Sequence, residues 1–296
     1  MDKNKKKQEA QLNQSYWGGV LVRFRRNKRA VVALVVLTIM VLGCIFIPMI
    51  SPYSMEQTNT AHGDRQPNGE NWFGTDKIGR DLFTRLFYGG RISLGVALAV
   101  TGLQALVGVV LGSLAGYYGG FIDATIMRIG EVFSSFPMMM MAITLVSVLP
   151  SKNSVVNLII TLTILSWPRI ARIVRGQILT LREQEYMEAC EALGISDFKR
   201  MFKHLLPNVL AYVIVYATMG MAATILVETS LSFLGMGIAP PTPTWGNMIN
   251  EARNLIIVIN KWWIWVPPSI CIFVTVMCFN LLGDGLRDAI DPKMQR

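Results

Sequence analysis

AVVALVVLTIMVLGCIFIPMI occupies residues 30–50 and carries no charged side chain. About 20 apolar residues at 1.5 Å per residue cross a hydrocarbon core of roughly 30 Å. The run lies behind 29 mostly polar residues, is too long for a signal-peptide core, and lacks a small-x-small cleavage site before Ser51. It therefore reads as an uncleaved first membrane span. Working outward, five more stretches qualify or nearly so: about Ile92–Gly116, Gly130–Leu149, Ser154–Ile170 (the shortest), Val209–Ser230 and Trp262–Leu282. The 296-residue composition agrees, with 52% hydrophobic and only 16% charged residues. A soluble domain carries about 25% charged residues. The expected fold is an all-α membrane protein with six transmembrane helices.

Net charge is +9. Without aromatic–basic interleaving, the excess fits topology better than nucleic acid, which is not an expected partner. With the N-terminus in the cytoplasm, the internal segments hold nineteen Lys/Arg and the external ones eight. That bias puts both termini on the cytoplasmic side of the membrane. The organisation follows: a basic tail at 1–29 suited to anionic lipid, a first span at 30–50, and an extracytoplasmic loop at 51–91. A core transmembrane domain covers 92–284 with an internal loop at 183–208, and a cytoplasmic tail covers 285–296.

Gly108, Gly112 and Gly116 recur every fourth residue in the second span and allow close helix approach. Cys44, Cys190, Cys271 and Cys278 form no CxxC pair, so neither a disulfide framework nor a zinc site is supported. Glu131 and Glu228 lie near span ends and read as solvated interfacial carboxylates, although an intramembrane acid is a functional candidate by default. Met138–Met141 covers most of one helical turn beside Pro137, which can kink the third span. Met138, Met141 and Glu228 are candidates for a translocation path.

The internal loop contains EQEYMEACEALGISDFKRMFKHLLPN at 183–208. It splits into two amphipathic helices. Glu183, Glu185 and Glu188 favour the first helix's N-terminus. Gly194 suits a left-handed position that ends it. Ser196 can cap the second helix, and Pro207 is expected to stop it. Tyr186, Ala189 and Leu193 form one apolar stripe, with Cys190 at its edge as an accessible thiol. Phe198, Met201, Phe202 and Leu205 form the other stripe. Such faces can lie on the bilayer or dock a partner chain. On the external side, Thr75 or Asp76 can cap a helix from Lys77 that contains Gly79. Thr244 can cap a helix from Trp245 whose Met248, Ile249, Ala252, Leu255 and Ile256 face the bundle while Glu251 and Arg253 face water. Trp262, Trp263 and Trp265 suit an interfacial belt.

The segment EACEALG, with HLLPN ending at Asn208, resembles the signature of permeases from binding-protein-dependent ABC importers: EAA, three residues, Gly, nine residues, Ile, one residue, Leu-Pro. Glu188, Ala189, Gly194, Leu206 and Pro207 match. Cys190 replaces the second alanine and His204 the isoleucine. FGTDKIGRDLFTRLFYGGRISLG at 73–95 and NLLGDGLRDAIDP at 280–292 resemble C-type subunits of the oligopeptide, dipeptide and nickel branch. The resemblance implies a type I importer permease bundle. It makes Tyr186, Glu188, Ala189, Cys190, Leu193, Gly194, Phe198, Met201, Phe202, Leu206 and Pro207 an ATPase-coupling surface. It also places Thr75, Asp76, Arg80, Asp81, Trp245 and Met248 at an extracytoplasmic mouth that receives a binding protein. The implied partners are a homologous B-type permease, two ATPase subunits that bind the ATP and Mg, and the binding protein; no cofactor is expected on this chain. The implied substrate is an oligopeptide or dipeptide, with nickel chelates or another small solute as the alternative.

A secondary transporter buries coupling charges at the midplane, and no carboxylate reads that way. HExxH, GxSxG and GxxxxGK[ST] are absent, so no zinc protease, hydrolase or nucleotide site is encoded.

Overall fold

The computed structural model describes residues 16–149 and 154–290, and every regular element among them is helical. Helix α1 (Tyr16–Arg26) ends in Arg23, Arg25 and Arg26, where cations meet the negative pole of the helix dipole. Asn27 starts α2 (Lys28–Ile50), its side chain accepting from the Ala30 amide at 3.2 Å. The basic segment is thus not wholly a tail. Val20 and Phe24 of α1 are buried, and Arg23 Nε donates to the Ala289 carbonyl at 2.6 Å. Residues 1–15 and the tail from 291 lie outside the described residues.

Helix α3 (Leu82–Tyr118) follows the first loop and packs along α6 (Ser154–Arg182). Small residues make that approach possible. A Cβ on Gly108 would sit 2.6 Å from Ile170 Cβ, and one on Gly112 would sit 2.5 Å from the Ala171 carbonyl oxygen. The expected fourth span is therefore longer than its apolar part. Arg169, Arg172, Arg175 and Arg182 lowered the local hydropathy without ending the helix.

The third span is not one straight helix. Helices α4 (Gly120–Ser135) and α5 (Met138–Val148) meet at 94°. Pro137 disfavours helical geometry at the residue before it, and Phe136 is extended. Among the described residues, five helices are long and apolar enough to cross a membrane, or six when the bent pair counts as one. Glu131 is exposed, as expected, and pairs with Arg128 at 2.9 Å.

Short helix α7 (Glu185–Ala192) precedes the 37-residue α8 (Asp197–Phe233). Pro207 does not stop the helix that begins at Asp197. The stretch Arg200–Leu205 is π-helical, with Leu206 N bonded to the Met201 carbonyl, and the widened turn admits the proline ring. After a second loop carrying α9 (Trp245–Asn250) and α10 (Leu255–Asn260), α11 (Trp262–Ile290) returns the chain to the end of the bundle where α1 lies. Thr244 caps α9 through a reciprocal bond pair with Asn247, as its sequence suggests. Trp262 is exposed, but Trp263 is 4% exposed and belongs to the core rather than to a belt.

Candidate functional site

Two helical pieces, α7 and the start of α8, form a unit at the termini-bearing end of the bundle. Gly194 has φ +65°, with Ile195 N bonded to the Cys190 carbonyl and Gly194 N to the Glu191 carbonyl. This is the paired-bond helix ending that a left-handed glycine permits. Arg200 then holds the unit together, pairing with Glu191 at 2.9 Å and Asp197 at 2.6 Å. Tyr117 at the end of α3 donates to Asp197 at 3.0 Å. Ser196 occupies the cap position without a side-chain bond.

Each piece buries one face and presents another. Met187, Cys190, Met201 and Leu205 pack against the bundle; Leu205 is fully buried. Tyr186, Leu193, Phe198 and Phe202 are exposed, with the two phenyl centroids 4.4 Å apart. Glu188, Ala189 and Pro207 are exposed too, and Leu206 is intermediate. Two expectations are corrected here. Cys190 is 9% exposed and is not an accessible thiol, and neither it nor Met201 belongs to the outer surface. Both candidate stripes of an eight-residue helix are apolar. Packing by the neighbouring Met187 decided which one turns inward, and the sequence offered no sign of that.

At the opposite end, the residues expected at an open mouth are mostly structural. Thr75 is 1% exposed, donating to the His62 carbonyl and accepting from the Arg65 amide. Asp76 is 2% exposed; it accepts from the Ile78 and Arg80 amides and pairs with the Arg80 guanidinium at 2.6 Å. No helix begins at Lys77, because Gly79 has φ +77° and the chain turns there. Asp81 caps α3 instead, accepting from the Thr84 amide at 2.8 Å and from Asn71 at 2.8 Å. Trp245 is 1% exposed, its indole N–H bonded to the Leu86 carbonyl, and Met248 is 6% exposed. Arg80 alone of this set stays partly open. The surface is carried instead by Trp72, Leu255, Ile256 and Ile259. Leu255 and Ile256 turn outward, against expectation, because Asn254 breaks and restarts the helix.

Glu251, expected in water, is half-buried beside a cavity of about 330 Å³ lined also by Asp76, Arg80 and Arg85. Its Oε2 is buried without a hydrogen bond. Burial first, and the nearby Asp76 charge second, push its carboxyl above the ordinary range. A carboxyl raised on folding adds stability below its unfolded pKa of about 4.3, and that stability fades as pH climbs through the raised value. Glu251→Gln is therefore expected to flatten the pH dependence of thermal stability in detergent and to raise the melting temperature at pH 8 relative to the parent. A parallel pH profile for the two proteins would contradict this.

Inside the bundle, a cavity of about 180 Å³ is lined by Gln104, Ser134, Met138, Arg169, Arg172 and Tyr216 among others. Met138 reaches it; Met141 and Glu228 do not. Glu228 is not an interfacial carboxylate. It is fully buried, accepting from Ser232 at 2.8 Å and Ser93 at 3.3 Å, and Ser93 in turn accepts from the Trp245 amide. Its place is a junction between α3, α8 and α9.

The model for the binding-protein-dependent transport system inner membrane component matches residues 108–296, and that for the N-terminal TM domain of oligopeptide transport permease C matches 15–67. The oligopeptide transport system permease protein OppC of Bacillus subtilis (strain 168) is 39% identical over 282 residues, covering 95% of this chain and 91% of that protein. The dipeptide transport system permease protein DppC of Alkalihalophilus pseudofirmus is 41% identical with the same coverage. The glutathione transport system permease protein GsiD of Escherichia coli O157:H7 is 42% identical, covering 94% and 91%. The inward-facing MetNI methionine ABC transporter superposes on 69% of this chain and 96% of its own with a TM-score of 0.56 at 19% identity, a likeness of fold. A helical bundle with a small amphipathic unit at one end, matched along nearly its whole length by oligopeptide and dipeptide transport system permease proteins, is a member of the family of binding-protein-dependent transport system inner membrane components.

Proposed function

We propose that this permease imports peptides across the cytoplasmic membrane, pairing with a homologous B-type permease and lying above two ATPase subunits. The exposed Tyr186, Leu193, Phe198 and Phe202 carry the reading. Four large apolar side chains on a polar end of the molecule need cover, and each sits on the unit that bears the family signature. The ATPases dock there and bind the ATP and Mg. An external binding protein delivers substrate at the end formed by Trp72, Leu255 and Ile259. Peptide cargo is supported by the oligopeptide, dipeptide and glutathione relatives, whose named substrates are all peptides. Both termini lie in the cytoplasm, as the excess of basic residues in the internal segments supports.

The test is reconstitution of both permeases with the ATPases and binding protein in liposomes. ATP-dependent accumulation of a labelled di- or oligopeptide is expected, with none from this chain alone. Uptake of nickel chelates but not of peptides would replace the substrate reading, and peptide import by the lone chain on an ion gradient would replace the mechanism.

The same assembly reads the role of Gly194. No atom lies within 4 Å of a Cβ built there, so strain in the backbone, not crowding, opposes a side chain. A β-branched residue at φ +65° costs about 1 kcal/mol or more. Gly194→Val is expected to insert normally, to release the ATPases in mild detergent, and to lower uptake several-fold. Uptake equal to the parent would separate this glycine from coupling.

A further inference from the structure

Arg169 lies fifteen residues beyond Ser154 on α6, about 22 Å along the helix axis, and Arg172 lies one turn further. On the span expected from the sequence, Arg169 falls just inside its inner end and Arg172 just beyond it, where a core of about 30 Å gives way to the cytoplasmic side. Both are exposed on this chain and line the same cavity of about 180 Å³. Charged side chains at that depth are costly against lipid and are placed toward an aqueous cavity or a charge partner. Their neighbour Arg175 has such a partner, Asp123 at 2.5 Å. Among the described residues neither Arg169 nor Arg172 makes an ion pair, and no residue lining the cavity is acidic.

Arg172 is nonetheless aimed. Its Nη2 donates to Ser134 Oγ at 2.8 Å and its Nε to the Pro168 carbonyl at 3.3 Å. Ser166, Gln104 and Tyr216 add neutral polar groups to the wall, and Leu162 and Val227 add apolar ones. Two cations without acids on the wall of a cavity with neutral polar neighbours fit an anion that arrives and leaves. Guanidinium groups match a carboxylate in a two-point geometry.

We propose that Arg169 and Arg172 form a transit site for the terminal carboxylate of a peptide inside the membrane bundle, an inference that rests on the peptide-import reading above. The site holds the peptide's charged end once it has left the binding protein, offsetting the cost of moving a carboxylate out of water.

The complete reconstituted importer tests this with one peptide in two forms, the free acid and its C-terminal amide. The double variant Arg169→Gln/Arg172→Gln is compared with Arg169→Lys/Arg172→Lys and with the parent. The binding protein is the same throughout, so its own preference cancels in the comparison. The Gln variant is expected to lose about tenfold in the acid-to-amide uptake ratio while retaining binding-protein-stimulated ATP hydrolysis; the Lys variant keeps only part of the ratio, because it retains the charge and loses the two-point geometry. Equal loss for both peptide forms, or no loss, overturns the proposal. Failure of the Gln variant to co-purify with the second permease overturns it too, because the arginines would then serve that interface. If the parent importer moves neither form, the peptide reading fails and takes this site with it, whereas parent uptake with an unchanged ratio in the variant defeats this site alone.

Discussion

Gly112→Val is expected to prevent α3 from seating on α6. The first added carbon would lie 2.5 Å from the Ala171 carbonyl oxygen and 2.8 Å from Val174 Cβ, and two further methyls would follow. Neither obstacle is the tip of a flexible side chain. Gly108 faces Ile170 as closely, at 2.6 Å, and Gly116 faces Ile178 at 3.0 Å, so sliding the helices along each other does not relieve one site freely. Overpacking in a tight core costs about 1–3 kcal/mol per site. Here the added carbon meets backbone where helices of 37 and 29 residues pack along each other, and about 3 kcal/mol or more is expected. Detergent-solubilised variant should unfold at a clearly lower temperature and lose its sharp elution peak in size-exclusion chromatography. Gly102→Val, on the same helix with nothing within 4 Å of the new carbon, is the matched control and should behave like the parent. A variant at Gly112 as stable as that control would show that the close approach is not needed.

Phe198→Asp/Phe202→Asp is expected to abolish ATPase attachment while leaving the bundle folded. Phe198 is 69% and Phe202 49% exposed, and their ring centroids lie 4.4 Å apart. Removing them therefore costs the isolated chain little. In a docked complex, large apolar anchors of this kind are worth about 2 kcal/mol or more each, or at least 30-fold in affinity. Two buried aspartates would add a desolvation penalty. Co-purification with the ATPases should vanish and uptake should fall to background, with the melting temperature of the lone chain unchanged. Retained attachment would move the docking surface elsewhere, and Met201→Asp would be uninformative by comparison because Met201 supports the bundle.

Spans were legible because a hydrocarbon slab is a one-dimensional filter on composition. The run at residues 30–50 matches α2 almost end to end. Gly194 was legible because a single backbone bond pattern demands a residue without a Cβ. What failed to show was direction around a helix axis when both faces are apolar, as with Met187 and Cys190 inside but Tyr186 and Leu193 outside. Membrane helices are apolar all round, so amphipathic periodicity no longer points to the core. The external motif at 73–81 failed for another reason. Asp76 reads as a cap for a helix from Lys77, yet it and Asp81 bind main-chain amides that fold the loop on itself, and the cap of the second span is Asp81. The two cavity arginines were visible only as charges at the end of a span; their common cavity depends on the bend at Pro137, which brings Ser134 and Met138 beside them.

Helix α8 runs without a break from one end of the bundle to the other. Thirty-seven residues reach about 55 Å. One end carries Phe198 and Phe202 in the unit clamped by Arg200. The other is tied through Glu228 to Ser93, and through the Phe233 carbonyl to Asn250 of the second loop. A rod transmits displacement without needing any side chain to relay it. Tilting one of this length by about 5° around one end sweeps the far end through about 5 Å, close to the pitch of one helical turn. Leverage of that size would link the aromatic pair at one end of the bundle to the Glu228–Ser93 junction at the other.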